Sequence, residues 1–488
     1  MTPARPSSLA RQWAVGPVEA LPHPDAEHGL TLDRVRIDWL DPLLVHPALD
    51  ARGRRIGAFL GHAVDWRRGV VPHGTVRLDE AFSPDDADGF VERQVFRHTG
   101  SWAFVLDADG VSRLYLDADG TLSAVYDPET RRAGATAAML LDDDAYAARF
   151  DGELHRHLDI LREGWFPAGL TAHRGISRLL VNHHLDLSDG TARRHWPTGP
   201  IPETAEPEAA CLQVAEQTRR TVEALRADGT LAAALTGGNE SRFLLAACRP
   251  FAGELDFVTV DGPETRRDVD LARRLAARFG LNHRTLALRR ADAAGQARWH
   301  AQTGHCMGGS NMVSHPTVLP LAEVDHFVVG FGGEIGRGFF WRPQDAADMA
   351  VTAETIERRM GMAPHPRVRA AVAAWLADAP EGDAFQTLDL AYLELRMGCW
   401  GYALSYVLPE VSHVSPMVGR TAYEAMLSLP PAWRRENRLI LDTIGLLWPD
   451  LLEVPINRYG NFRDGLSLLT RALRNPHLVA KKLRKLRG

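Results

Sequence analysis

The sequence predicts an α/β protein of two domains: a β-rich amino-terminal half, then a parallel sheet covered by helices, with a helical carboxy-terminal part. Three observations carry this. Residues 29–200 hold short aromatic or β-branched runs separated by Asp-Ala-Asp-Gly turns. A stretch with three prolines, Trp196-Pro197-Thr198-Gly199-Pro200-Ile201-Pro202-Glu203, then breaks the pattern. Beyond it strands and helices alternate, as in a parallel sheet with both faces covered. With 488 residues, 45% apolar and 24% charged, the chain is long enough for at least two cores, since single domains usually hold about 100 to 200 residues.

Taken in order, residues 1–28 are rich in Pro, Ala and Arg and read as a loosely tied arm or an irregular first strand. Ser101 to Leu106, Arg113 to Leu116 and Ala124 to Tyr126 read as strands of a meander, turned at Asp107 to Gly110 and Asp117 to Gly120. These turns resemble part of a calcium loop, but the later carboxylates and closing Glu of such a loop are missing, so turn chemistry is the better account. After the proline-rich stretch come a helix over 208–227, a strand over 231–235, a Gly-Gly turn, a helix ending before Pro250, and a strand over 255–260. A helix over 267–279 closed by Gly280, a strand over 327–329 and a helical region over 385–445 follow. The divisions are therefore an arm (1–28), a first domain (29–200), a second domain (205–465) and a basic tail (466–488).

A formal charge of -6 gives no general reason to bind nucleic acid. The exception is the tail, where Lys481-Lys482-Leu483-Arg484-Lys485-Leu486-Arg487 most simply reads as a solvated helix end. Cys211, Cys248, Cys306 and Cys399 have neither disulfide-framework nor zinc spacing, and read as reduced, mostly buried thiols. With no signal-like or membrane-length apolar run, the expectation is a soluble cytoplasmic protein. His183 and His184, adjacent on a strand, point to opposite faces and read as structural rather than as a metal pair. His305 and His315 are candidates for lining an acceptor pocket, though their spacing does not decide it.

The first strand of the second domain runs into Leu235-Thr236-Gly237-Gly238-Asn239-Glu240-Ser241-Arg242, where a helix starts. Glycines there allow a tight turn and expose amide hydrogens at the helix N-terminus, which suit a phosphate. This loop resembles the Ser-Gly-Gly-x-Asp-Ser pyrophosphate loop of the asparagine synthetases and other ATP pyrophosphatases, with Thr236 for the first Ser and Glu240 for Asp. Further pieces follow in the family's order: Phe257-Val258-Thr259-Val260, where the resemblance implies that adenine is held; the helix beginning near Asp268; and Gly330-Phe331-Gly332-Gly333-Glu334-Ile335-Gly336-Arg337-Gly338, similar to the second glycine loop Ser-Gly-Glu-Gly-x-Asp-Glu.

The resemblance covers roughly residues 205–460 and implies a PP-loop ATP-pyrophosphatase (adenine nucleotide α-hydrolase-like) domain. It implies ATP and Mg²⁺ as cofactors, with Glu240 and Glu334 as metal carboxylates in place of aspartates, and Arg242 and Arg337 as cations near the departing pyrophosphate. Ile335 stands where the family has a second acid. Leu393 to Arg396, Val414 to Met417 and Leu427 to Pro431 resemble the helical half that roofs the acyl-acceptor pocket. The family's Arg-x-Lys segment is replaced by Pro455-Ile456-Asn457-Arg458-Tyr459, which leaves Arg458 as the substitute cation.

The first domain resembles a class II glutamine amidotransferase half, an Ntn-type α+β sandwich, through Thr99-Gly100-Ser101-Trp102-Ala103-Phe104 with Tyr115-Leu116-Asp117, and through Trp165 to Thr171. That half uses a cysteine at position 2. Here Thr2 is followed by Pro3 and no cysteine precedes Cys211, so the glutaminase reads as lost, as in β-lactam synthetases. The leading expectation is an ATP-dependent ligase that adenylates a small-molecule or peptide carboxylate and forms an amide with ammonia or a substrate amine in a biosynthetic pathway. The alternative is an impaired pseudoenzyme serving as a binding partner or scaffold, with a pathway protein or a second copy as partner. Sulfur transfer to RNA by a related pyrophosphatase needs catalytic cysteines and a basic face that the sequence lacks.

Overall fold

The computed structural model describes residues 5–6, 8–162, 164–406 and 408–459. Thr2 and the basic tail over 466–488 lie outside the described residues. The fold is mixed α/β, with two mainly antiparallel sheets and one parallel sheet. Contacts divide the described residues into two compact units: those up to 199 with 289–325 and 393–414, and 200–288 with 326–392 and 415–459.

In the first unit, Trp13–Pro17 pairs antiparallel with both Val35–Trp39 and Arg132–Gly134. Trp13, Ala14 and Val15 are buried, so part of the expected arm is core. A three-residue apolar run carries too little periodicity to announce a central strand, and its partners lie far along the chain. The other sheet centres on Thr99–Ala108, paired with Arg55–Val64 and Val111–Leu116. Its Trp102, Phe104 and Tyr115 pack with Phe90 and Val91 of the helix Ala87–Gln94, which supplies most of the driving force for that layer. Asp109 and Gly110 both take positive φ in the hairpin between Thr99–Ala108 and Val111–Leu116, as a two-residue turn of this hand requires. Asp117 accepts from the backbone N–H groups of Asp119 at 2.9 Å and Thr121 at 3.0 Å, so the second Asp-Gly stretch is likewise turn chemistry.

Residues 289–325 and 393–414, which the sequence reading gives to the second domain, belong to the first unit. Gln12 Nε2 donates to the Gln302 carbonyl at 3.2 Å, and the Tyr402 hydroxyl donates to the Thr303 carbonyl at 3.1 Å. Arg194 makes a two-pronged pair with Glu394 at 2.7 and 2.8 Å, and Asn182 adds a third bond at 2.9 Å. Burial pushes the Glu394 carboxyl up, but Arg194 outweighs it and the group stays below its ordinary range. Glu394 is thus committed to an internal ion pair. His183 and His184 are buried on the strand His183–Asp186, with His184 Nδ1 3.1 Å from the Asp88 carboxylate. The four cysteines are free and buried. Among the described residues, no helix is long and apolar enough to cross a membrane.

In the second unit, four parallel strands lie in the order Asn282–Ala287, Asp256–Asp261, Leu231–Ala234, His326–Val328. The observed bounds of Asp256–Asp261, Leu231–Ala234 and His326–Val328 and those of the helices Pro207–Asp228 and Arg266–Phe279 lie within a residue or two of the sequence reading, which has no strand at Asn282–Ala287. Gly280 closes the second helix at φ 65°. The region read as helical over 385–445 contains Ala384–Tyr392, Arg420–Leu427 and Arg438–Leu447, but also the strand Ser412–Val414.

Candidate nucleotide site

The strand order fixes where a ligand can enter. From Leu231–Ala234 the chain steps outward twice, to Asp256–Asp261 and Asn282–Ala287, then returns to the other side of its starting strand as His326–Val328. The connections diverge between Leu231–Ala234 and His326–Val328, and such a reversal opens a crevice at the carboxyl ends of the strands. Both glycine loops leave from those two ends.

They touch there. A Cβ on Gly330 would lie 2.8 Å from the Ser241 backbone nitrogen and 3.0 Å from the Glu240 carbonyl carbon; one on Gly333 would lie 3.0 Å from Glu240 Cγ. Only glycine permits that approach. Gly332 has φ 95°, a region L side chains rarely adopt. On the first loop, a Cβ on Gly237 would meet Leu271 Cδ1 at 2.4 Å.

Hydroxyls and one carboxylate hold the first loop. The Thr236 N–H donates to Ser241 Oγ at 3.1 Å, the two hydroxyls lie 2.9 Å apart, and the Gly238 N–H donates to Thr236 Oγ1 at 3.0 Å. Asp268 Oδ1 accepts from the Gly237 N–H at 3.1 Å. Asp268 therefore braces the loop from the next helix. Leu235 is buried beneath it, and the helix Asn239–Ala247 starts from Gly238 without a side-chain cap, an arrangement that suits an anion.

Glu240 and Arg337 form a close ion pair across the loops, with side chains 15% and 25% exposed. Burial pushes the Glu240 carboxyl above its ordinary range; Arg337 pulls it back and the nearby Glu334 pushes it up again. Glu334 Oε2 accepts from the Gly332 N–H at 3.2 Å. Glu240, Glu334, Arg337 and the glycines thus share one place.

Other expected residues have different duties. Arg242 is fully buried and its Nη1 donates to the carbonyls of Leu451 at 2.8 Å and Val454 at 2.7 Å, so it fastens the carboxy-terminal segment from inside. Burial lowers its pKa to about 10. The buried Thr259 hydroxyl donates to the Leu235 carbonyl at 2.5 Å and lies 2.8 Å from His283 Nε2, tying adjacent strands together. Val260 is half-buried near the end of Asp256–Asp261, its carbonyl taken by the Thr265 hydroxyl at 2.6 Å. Arg458 is exposed.

Its neighbour Asn457 carries a role that sequence reasoning missed. With φ 57°, it donates its N–H to the Gly237 carbonyl at 2.7 Å. Asn437, also at φ 57°, donates to Asn239 Oδ1 at 3.2 Å. Asparagine tolerates this conformation better than most residues, which is the signal that was available. His305 and His315 lie in the first unit, His305 beside His300 with ring centroids 4.7 Å apart and His315 stacked on Trp299.

A search of curated proteins gives no match. Among solved structures, the U34-tRNA thiolase NcsA from Methanococcus maripaludis with its 4Fe-4S cluster is 11% identical, over 57% of this chain and 78% of its own, at a TM-score of 0.23. A glutamine phosphoribosylpyrophosphate amidotransferase from B. subtilis, complexed with ADP and GMP, is 9% identical over 74% of this chain and 73% of its own, at a TM-score of 0.20. At these scores neither defines the fold. Residues 213–391 match the model of the asparagine synthase family, one of ATP-using, amide-forming ligases. That match identifies residues 213–391 as an asparagine synthase domain.

Proposed function

We propose that the chain is an ATP-dependent ligase that adenylates a carboxylate, releases pyrophosphate, and forms an amide with ammonia or a substrate amine. In this reading the second unit is a PP-loop ATP-pyrophosphatase fold and the first a degenerate Ntn-type amidotransferase half. The observation that carries it is the meeting of two glycine loops at the strand reversal, with Glu240, Glu334 and Arg337 around their junction.

A substrate carboxylate oxygen would attack the α-phosphorus, breaking the bond to the β-phosphate bridging oxygen. The amine nitrogen would then attack the acyl carbon, release AMP and give up a proton. Most of the acceleration comes from alignment and from neutralising the departing pyrophosphate. The backbone N–H of Asn239, at the uncapped start of its helix, and the Arg337 guanidinium are the groups for that second task, with Arg458 as an outer cation. Thr236, Ser241 and Asp268 keep the loop in shape, and Val260 offers an edge for the purine. The two glutamates suit a hard cation: Glu240 Oε1 meets Arg337, Glu334 Oε2 accepts from the Gly332 N–H, and carboxylate oxygens of both would serve as metal ligands. Magnesium bound there would supply further neutralisation of the triphosphate.

Cys306 and Cys399, the cysteines of the first unit, are fully buried, and burial pushes both thiols up. That environment disfavours the thiolate a glutaminase needs, which supports an external nitrogen source. We place the protein in the cytoplasm, with a pathway protein or a second copy as partner.

A second reading, an inactive binding or scaffold protein, is favoured by Ile335, which is 1% exposed where the family pattern has an acid. The test is magnesium-dependent pyrophosphate release across a panel of carboxylates, with exchange of labelled pyrophosphate into ATP. Exchange stimulated by one carboxylate supports the ligase; ATP binding with no exchange for any of them supports the scaffold.

A further inference from the structure

Two carboxylates beside a triphosphate pose an electrostatic problem, because like charges in a half-buried crevice repel far more strongly than in water. A divalent cation is one solution. This chain contains another. Arg337 ends the short turn Ile335–Arg337, which leaves the second glycine loop directly. A Cβ on Gly336 would lie 2.3 Å from Leu439 Cδ2, and Gly338 follows with φ 58°, so the turn is packed closely and cannot be shifted without displacing neighbours. From there the guanidinium reaches Glu240 Oε1. On the other side, the tight approach of Gly333 to Glu240 Cγ leaves the glutamate little room to turn away. Arg337 Nε is itself buried with no hydrogen-bond partner, so the group has a further donor at the junction.

We infer that Arg337 is a resident counter-cation of the nucleotide site, held on the Glu240 carboxylate that a divalent cation would otherwise neutralise, so that triphosphate binding to this chain is largely independent of magnesium. The inference rests on the nucleotide-site reading above. Its physical basis is that a guanidinium is permanently charged, planar and covalently attached, and cannot be removed by a chelator. The ligand class follows: metal-free ATP and inorganic tripolyphosphate bind, as well as their magnesium complexes.

The experiment is calorimetric titration of the full chain with ATP and with tripolyphosphate, in EDTA and in millimolar magnesium chloride. For the unaltered protein the two conditions are expected to give dissociation constants within about threefold of each other, under 1 kcal/mol. Arg337→Gln is expected to lose metal-free binding by at least about tenfold and to recover most of it when magnesium is added. Arg337→Lys, which keeps a charge but not the fork, should fall between them, and circular dichroism melts establish that both variants are folded. A tenfold or larger magnesium requirement in the unaltered protein overturns the inference, as does a folded Arg337→Gln variant that binds metal-free ATP normally. Absence of ATP binding in both conditions overturns the nucleotide site itself, and the inference with it.

Discussion

Replacing Gly330 with alanine tests the junction of the two loops by adding one methyl group. The new Cβ would sit 2.8 Å from the Ser241 backbone nitrogen and 3.0 Å from the Glu240 carbonyl carbon, both main-chain atoms that cannot swing aside. Gly330 does not have the positive φ that would strain alanine, so the perturbation is steric. Overpacking of this kind costs about 1–3 kcal/mol. If the loops separate to relieve it, and ATP binding requires them together, affinity falls by about 5- to 150-fold. Gly253→Ala is the control, since a Cβ there meets nothing within 4 Å. Titration of both variants with ATP, alongside thermal melts, measures the effect. A folded Gly330→Ala protein with unchanged ATP affinity would refute the claim that the junction grips the nucleotide.

Arg242→Met removes the buried donor to the Leu451 and Val454 carbonyls and should destabilise the protein by about 2–4 kcal/mol in urea unfolding; it should also weaken ATP binding by freeing the segment that carries Asn457. Arg434 and Asp389, both buried, form an ion pair at 2.6 Å, with the Asp389 carboxyl pushed up to about 6 chiefly by burial. Arg434→Met alone should cost about 3–5 kcal/mol, and the double change with Asp389→Leu should recover most of it; equal losses in the single and double variants would contradict this. Burial depresses His173 to about 4, against an ordinary value of 6.5, and neither ring nitrogen has a hydrogen-bond partner. The unfolded chain therefore takes up this proton first, so the stability due to neutral His173 is complete above pH 6.5 and is lost as pH falls toward 4. His173→Phe, beside the Tyr146 ring, should add about 1 kcal/mol at neutral pH and flatten acid unfolding over that window; an unchanged pH profile would count against it.

Much of the candidate site was legible because glycine requirements are local. The loops at Gly237 and Gly330 announce themselves wherever backbones must approach closely, and the strand and helix alternation around them gave the parallel sheet. What stayed hidden depends on partners distant in sequence. Nothing near Trp13 tells that it will pair on both sides, and nothing near Gln302 or Glu394 tells that Gln12 and Arg194 will claim them. Arg242 looked like a phosphate ligand because it follows a glycine loop, yet its side chain points into the core, where carbonyls some two hundred residues later need donors. Asn457 was passed over for the charge beside it, although its left-handed backbone brings its amide to the loop.

Hydrogen–deuterium exchange on the full chain, with and without saturating ATP, addresses the paired loops most directly. Peptides covering 235–242 and 329–338 should slow together on addition of nucleotide, accompanied by 455–459. Protection confined to one loop, or found only in the first unit, would contradict a shared triphosphate grip.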